Sequence, residues 1–350
     1  MTPADSHFVP PAILRPQSRR DALLFAAVDC WAKLRHRSVF SWLRKIEAKT
    51  APNVRRSPSV ALPNCTNDKY TWRKLFDRDP LFTRLSDKLE SKRFLNELAP
   101  EIEIPEVLWQ GERARDIPPE LFEADALVKT NHGAGTNILL RDTDLSPKQI
   151  ADYIDRKMRK PYGWASGQWG YHNIPRRVFV ERRVDAPELA EVKVYIFNRH
   201  VSRVLHIVDR FGATRGDVWH DDGSGLRRSD EVYHRGETGP GLPLPASSEQ
   251  AIAVARLLGE QFDSIRVDFM TDGTRLWFGE ITVYPLGGAV AFTGHKTDAT
   301  ENRYWDLRRS WFMRTPQNGW REAYRQALGR SLAEAYRARS TADASEAGGL

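Results

Sequence analysis

The alternation of apolar and polar positions divides the chain into a helical front, a strand-rich middle and a helical end. Residues 1–20 are Pro-rich and polar and read as a loose tail. Between 21 and 47, Leu23, Leu24, Phe25, Val28, Trp31, Leu34, Phe40, Trp42, Leu43 and Ile46 alternate with Lys33, Arg35, Arg37, Arg44 and Lys45, the pattern of one or two basic amphipathic helices. Residues 48–66, with Pro52, Pro58 and Pro63, read as a linker. The pattern from 68 to 98 is helical and puts Lys88 and Lys92, four residues apart, on one face. A β-like run at 102–108 precedes a strand, Gly-rich turn and strand at 125–141, then a helix at 146–160 behind an Asp/Ser-Pro cap signal. An aromatic, Gly-containing stretch at 161–177 has no period. Strands are expected at 177–184, 191–197 and 203–209, and a long Gly-, Asp- and Pro-rich loop at 211–247. An amphipathic helix at 249–262 leads into two β-rich runs, 265–270 and 276–283, flanking a Thr-Asp-Gly-Thr turn signal. Residues 295–338 are mostly helical, and the last dozen read as disordered.

This final hairpin carries charge among its hydrophobes: Arg266 and Asp268 on one strand, Glu280 on the other. Carboxylates in apolar strands are costly unless paired or metal-bound. Asp268 and Glu280 on neighbouring strands suit a hard cation such as Mg²⁺, which takes one or two carboxylates plus substrate phosphates; strand-end ion pairs with Arg266 or Arg275 are the alternative. Side chains alternate faces along a strand, so the register decides whether the two meet. A tight two-residue turn at Asp272-Gly273 would put them on opposite faces. A shared site requires an odd-length loop or a bulge. Upstream, Lys129 enters the turn containing Gly133 and Gly135, where backbone N–H groups can close over phosphates. An ordinary hairpin turn is the commoner meaning of such glycines. Lys129 is more informative, because an unpaired buried Lys is rare.

Composition narrows the setting. At 350 residues the chain buries a sizeable core in two or three subdomains. A net charge of +7 favours polyanionic partners, but the Arg excess is spread along the chain, so no nucleic-acid-binding tail is indicated. The basic helices of 21–47 can lie on an anionic membrane. The competing reading packs them on the main domain with Trp31, Leu34 and Leu43 covered and the basic face in water. Two cysteines, Cys30 and Cys65, without zinc spacing, together with the lack of a bilayer-spanning run or a signal cleavage site, point to a cytoplasmic protein.

From about Asn67 to Asp306 the ordered pieces resemble the ATP-grasp superfamily, and within it the teichuronopeptide-biosynthesis (TupA-like) branch. The motifs are Asp87-Lys88 opening a helix, Val128-Lys129 before Asn-His-Gly-Ala-Gly, Glu181-x-x-Val184, Glu191-Val-Lys193-Val-Tyr-x-Phe, and Arg266-Val-Asp268 with Gly279-Glu280-Ile-Thr282-x-x-Pro-x-Gly-Gly. The resemblance implies an α+β ATP-grasp fold with ATP held between two α+β subdomains. Its catalytic region would span 67–338, made of a nucleotide-covering part at about 125–185, a metal and catalytic part at about 186–310, and closing helices at 311–338. The extension and linker at 21–66 would precede it and a tail at 339–350 follow. It also implies roles for residues: Lys88 and Lys129 at the ATP phosphates or adenine edge, Gly133 to Gly135 as phosphate cover, and Glu181 to Val184 as the hinge whose backbone reads adenine. Glu188, or else Asp185, would bind ribose, Lys193 would reach the phosphates, and Asp268 and Glu280 would hold Mg²⁺. The usual third ligand is an Asn; Thr282 stands there, and a hydroxyl is a weaker ligand for a hard cation.

The implied chemistry is ligation of a carboxylate to an amine through an acyl phosphate, with Arg266 as oxyanion stabiliser, aided by a Gly287 or Gly288 N–H. A structural salt bridge is the plainer role for Arg266, and the two are compatible. His132 reads as a polar turn residue rather than a nucleophile. The branch implies joining an amino acid or peptide to a uronic acid or amino acid during cell-surface polysaccharide assembly. A phosphotransferase that stops at the phosphorylated product, or a nucleotide-binding partner protein with weak catalysis, are the alternatives.

Overall fold

A computed structural model describes residues 13–50, 58–186, 188–209, 213–221, 225–229, 237–238, 241, 243–289 and 295–347. Residues 1–12 and 348–350 of the expected tails, and parts of the expected 211–247 loop, lie outside the described residues. Five helices open the chain: α1 (Arg19–Arg35), α2 (Arg37–Thr50), α3 (Thr66–Leu75), α4 (Leu81–Ser86) and α5 (Lys88–Leu98). Strands β1 (Val107–Gly111), β2 (Ala126–Thr130) and β3 (Ile138–Leu139), helix α6 (Pro147–Arg159) and strand β4 (Val178–Arg182) follow. Next come β5 (Ala190–Phe197), β6 (His200–Val208), β7 (Arg215–Asp221), β8 (Leu226–Arg228) and β9 (Glu237–Thr238), then α7 (Ser248–Gln261) and the hairpin β10 (Ser264–Thr271) and β11 (Leu276–Thr282). Helices α8 (His295–Tyr304), α9 (Trp311–Arg314) and α10 (Trp320–Ala347) close the chain.

Two sheets result, antiparallel except for the parallel β7–β9 pair, the α+β arrangement the sequence anticipates. The smaller runs β1-β4-β2-β3, and α6 covers one of its faces through Ile150, Ile154 and Met158. The larger runs β11-β10-β5-β6-β7-β8, with β9 beside β7. Period-two alternation decides its faces. Ile265, Val267 and Phe269 of β10, with Val192, Val194 and Ile196 of β5, pack under α7. The intervening Arg266, Asp268, Glu191 and Lys193 point the other way, where Tyr195 and Phe197 continue the face into a core built by α1, α2, α3 and α10.

That terminal core joins the two ends of the chain. Phe25, Val28, Ala32, Val39, Phe40 and Leu43 are buried with Tyr324, Leu328 and Leu332 of α10. The Asp21 carboxylate accepts from Arg330 at 2.5 Å, and the Asp29 carboxylate accepts the Val60 and Ala61 N–H groups. The basic helices therefore dock on the main body, but not with the face expected. Leu43 is buried and Trp31 half-buried, whereas Leu34 is exposed. Part of the expected linker is packed too, since Val60 and Ala61 are fully buried.

Three further expectations change. The stretch 211–247 contains β7, β8 and β9; β7 buries Asp217 against Arg228 (2.9 Å), so it lacks the apolar alternation of a strand. The strand expected at 102–108 lies a few residues later, as β1. Helix α10 runs on to Ala347 where a disordered tail was expected at 339–350. Among the described residues, no helix is long and apolar enough to cross a membrane.

Candidate functional site

Two connected hollows lie between the sheets. One, of about 840 Å³, is lined by Lys129 and Leu139 of the small sheet, residues 181–184, 186 and 188–191, His206 and Arg215 of β6 and β7, and Met270 to Gly273. The other, of about 460 Å³, is lined by Lys88, Lys92, Lys129, Lys193 and Arg266, five cations, against the four carboxylates Glu181, Glu191, Asp268 and Glu280. Lys129, Asn137, Glu181, Glu191 and Met270 line both.

The hairpin register brings Asp268 and Glu280 together. Thr271 pairs with Leu276 across a four-residue loop, which alone would separate the carboxylates. Gly279 is bulged out of the ladder between the Phe269–Phe278 and Asp268–Glu280 pairs, and from there inward the register is shifted by one. Asp268 and Glu280 end directly opposite, as do Arg266 and Thr282. Gly279 is the residue that fits, because a Cβ there would sit 2.8 Å from the Asp268 carbonyl oxygen.

Around this pair the charges are tightly matched. Arg266 grips Asp268 with two hydrogen bonds, Nε to Oδ1 at 2.6 Å and Nη2 to Oδ2 at 2.7 Å, and Nη2 also donates to the Thr282 hydroxyl at 3.1 Å. Lys193 donates to Asp268 at 2.7 Å and contacts Glu191 at 2.6 Å. Burial pushes the Asp268 carboxyl up, but Arg266 and Lys193 outweigh it and hold it below 3.8. Burial likewise opposes the charged form of Lys193, yet Asp268 and Glu191 raise it to about 12. Glu280 is looser: it is 36% exposed, with Lys88 at 3.5 Å and Arg266 at 3.6 Å, both beyond good hydrogen-bond length. Among the described residues no three acidic, His or Cys side chains cluster as ligands, so an ion held here would complete its shell with other oxygens.

The small sheet and α5 supply the other cations. Asp87 caps α5 by accepting from Leu89 N–H, and Asn131 ties that cap to the Gly-rich turn: its Nδ2 donates to Asp87 and its carbonyl accepts from Lys88 N–H, both at 2.9 Å. Lys88 Nζ in turn donates to the Gly133 carbonyl. Gly133 and Gly135 both have φ in the left-handed region, +80° and +75°, and a Cβ on Gly133 would strike the Tyr162 ring. Gly135 lines the smaller hollow; Gly133 lies behind it, covered by Tyr162. His132 is buried in the same turn, and burial with Arg176 and Lys88 nearby pushes it down to about 4, so it is neutral near pH 7.

Glu181 is shared by Lys129 and by Lys92 (2.7 Å). Burial raises its carboxyl, but the two lysines outweigh it and hold it below 4.5. The N–H groups of Arg182 and Arg183 bond the Glu106 and Asp125 carbonyls, and Val184, past the end of β4, lines the larger hollow. Glu188 lines the same hollow with φ of +50°; Asp185 lines neither. The expected residues thus come to one cleft except Gly133, set behind it, Asp185, which lines neither hollow, and Thr282, whose hydroxyl is engaged by Arg266 next to it. Sequence reasoning missed Lys92, Asn137, His206 and Arg215. Lys92 carried a signal, its i, i+4 spacing from Lys88; Arg215 fell in the stretch read as loop.

Residues 68–302, 235 of 350, match the family model described as TupA-like ATP-grasp. Among solved structures, the chain is similar to a D-alanine–D-alanine ligase from Bacillus anthracis (15% identity, 76% of this chain and 72% of that one, TM-score 0.39). It is also similar to the ATP-grasp ligase PsnB in complex with a phosphomimetic variant of its minimal precursor, Mg and ADP (14%, 72% and 60%, TM-score 0.35). A third is N5-carboxyaminoimidazole ribonucleotide synthetase from Thermus thermophilus (20%, 65% and 52%, TM-score 0.32). The chain thus spans between about half and three quarters of these neighbours' lengths. No curated protein matches its sequence. With two thirds of its length matched by the family model and most of the motif residues gathered in one cleft between two sheets, this chain belongs to the TupA-like ATP-grasp family.

Proposed function

We propose that the chain is an ATP- and Mg²⁺-dependent ligase that joins a carboxylate to an amine through an acyl phosphate and releases ADP. The observation that carries this reading is the Asp268–Glu280 pair, set face to face by the Gly279 bulge and ringed by Arg266, Lys193 and Lys88. Such a ring of fixed cations suits charge developing on a transferred phosphoryl group. The residues fit Mg²⁺: Glu280 has lone pairs free of close hydrogen bonds and Asp268 lies across from it, a two-carboxylate set that phosphate oxygens and water would complete. Mg²⁺ supplies charge neutralisation between phosphate oxygens when bound. Thr282 borders that set and orients Arg266 through its hydroxyl.

Lys129 and Lys88 bind the phosphates, Gly135 and its turn cover them, and Lys193 steadies the oxygens from the floor of the cleft. Glu181 keeps Lys129 and Lys92 in place, Val184 offers backbone to the adenine edge, and Glu188 takes the ribose. Arg266, fixed by Asp268 and Thr282, points two residues along the same strand face from the metal pair, where it stabilises the tetrahedral oxyanion formed when the amine attacks. The substrate class follows the family alone: an amino acid or peptide joined to a uronic acid or amino acid, small or polysaccharide-linked, in cell-surface polysaccharide assembly at the cytoplasmic side.

The test is ADP release by the purified chain with ATP, Mg²⁺ and panels of acids and amines, with hydroxylamine added to trap acyl phosphate as hydroxamate. Ligation requires ADP, amide and amine loss in equal amounts. A stable phosphorylated product with no amine consumed would make the chain a phosphotransferase. Failure of every pair to give Mg²⁺-dependent ADP would leave a nucleotide-binding partner.

A further inference from the structure

Helix α1 is apolar on two sides. Its inner side, Phe25, Val28 and Ala32, is buried in the terminal core. Its outer side carries Leu23, Ala26, Ala27, Cys30 and Leu34, spaced three and four residues apart and therefore on one stripe. All five are exposed, Leu23 by 75% and Leu34 by 59%, and Ile13, just before the helix, by 63%. A helix meant only to dock on the body would be polar on that side.

The exposed charges of residues 13–46, the span that carries the stripe, are of one sign. Residues 13–46 contain eight basic side chains, Arg15, Arg19, Arg20, Lys33, Arg35, Arg37, Arg44 and Lys45, and all eight are exposed. The same span has only two carboxylates, and both are turned inward: Asp21 to Arg330, and Asp29 to the Val60 and Ala61 N–H groups. Nothing acidic from this span faces the stripe. A second copy of the chain would bring like charge against like. A soluble polyanion would meet the cations but leave the leucines unused. An anionic bilayer uses both, with the leucines below the headgroups and the cations at the phosphates.

We infer that α1 is an in-plane membrane anchor: docked on the body by one face, it lays the Leu23–Leu34 stripe into the surface of a bilayer containing anionic phospholipid. This is independent of the catalytic reading. It requires no insertion of the helix across the membrane and no detachment from the core.

Co-sedimentation of the full chain with vesicles tests it. Binding to phosphatidylglycerol/phosphatidylcholine vesicles is expected, with none to phosphatidylcholine alone and a steep fall in higher salt. The double variant Leu23→Glu/Leu34→Glu should bind the anionic vesicles at least about tenfold more weakly, with unchanged melting, because both residues are exposed. An environment-sensitive dye on Cys30, in a Cys65→Ser background, should shift to the blue on anionic vesicles, which keeps the test open if the double variant misfolds. Three results would overturn the inference: no vesicle binding, binding that survives the double variant, or a concentration-dependent dimer that the double variant dissolves. Equal retention on heparin by wild type and double variant, with no dye shift on vesicles, would assign the surface to a soluble polyanion instead.

Discussion

Glu181 and its two lysines set very different expectations for three neighbouring substitutions. Glu181→Gln leaves Lys92, itself buried, without a carboxylate, and should cost about 3–5 kcal/mol in urea unfolding. Because the Glu181 carboxyl is held below 4.5, its stabilisation is complete above that pH and is lost as pH falls through the folded value. The acid limb of the stability curve should therefore flatten in Glu181→Gln, and an unchanged limb would show that Glu181 does not carry it. Lys129→Ala is different, since Glu181 keeps Lys92. We expect melting within a few degrees of wild type but ATP affinity reduced at least about tenfold, as for loss of one charge-assisted phosphate contact. Lys88→Ala should follow the same pattern. Calorimetry showing equal ATP affinity in Lys129→Ala would remove that residue from the nucleotide site.

At the scale of elements, the β10–β11 hairpin rests on one bulged glycine. Gly279→Ala places a methyl 2.8 Å from the Asp268 carbonyl, so one strand must move, at a cost of about 1–3 kcal/mol. That movement displaces Glu280 from Asp268, and Mg²⁺-dependent ADP formation should fall with it; full activity in Gly279→Ala would mean the bulge does not govern the pair. This hairpin was also where the sequence was most readable. Parity alone required an odd loop or a bulge before Asp268 and Glu280 could share a face, and the structure has the bulge with an even loop. Parity cannot name the bulged residue, because that depends on which backbone approach is closest. β7 was unreadable for another reason: Asp217 is buried by pairing with Arg228, an arrangement that looks like solvent-facing loop in a hydrophobic pattern. Lys92 was visible as a helix-face neighbour of Lys88, but its partner Glu181 lies on another element, 89 positions away. For Leu34 the apolar pattern suggests a single amphipathic face turned to the core, whereas α1 is apolar on two faces and Leu34 lies on the outer one.

For the molecule as a whole, the terminal helices are structural parts of the body. A chain beginning at Asp68 would uncover the surfaces that Phe25, Val28, Val39, Phe40 and Leu43 now cover, each worth about 1.5–3 kcal/mol of burial. That sum rivals the entire stability of an ordinary domain, so the truncated chain should melt far lower or aggregate. If it melts like the full chain and loses only vesicle binding, the docked face of α1 contributes nothing to the fold.

The joining of the two ends also bears on how the chain is made. Asp21 meets Arg330 across 309 positions, and the Tyr324 hydroxyl reaches the Ala61 carbonyl across 263. Domains fold as they emerge from the ribosome, and contacts of long sequence separation form last. Here the inner face of α1 and α2 can meet α3 soon after it is made, but its cover stays incomplete until α10 follows some three hundred positions later. Closing this core is therefore expected to be a late step of folding, and until it closes the basic, apolar face of α1 is open to whatever surface it meets first.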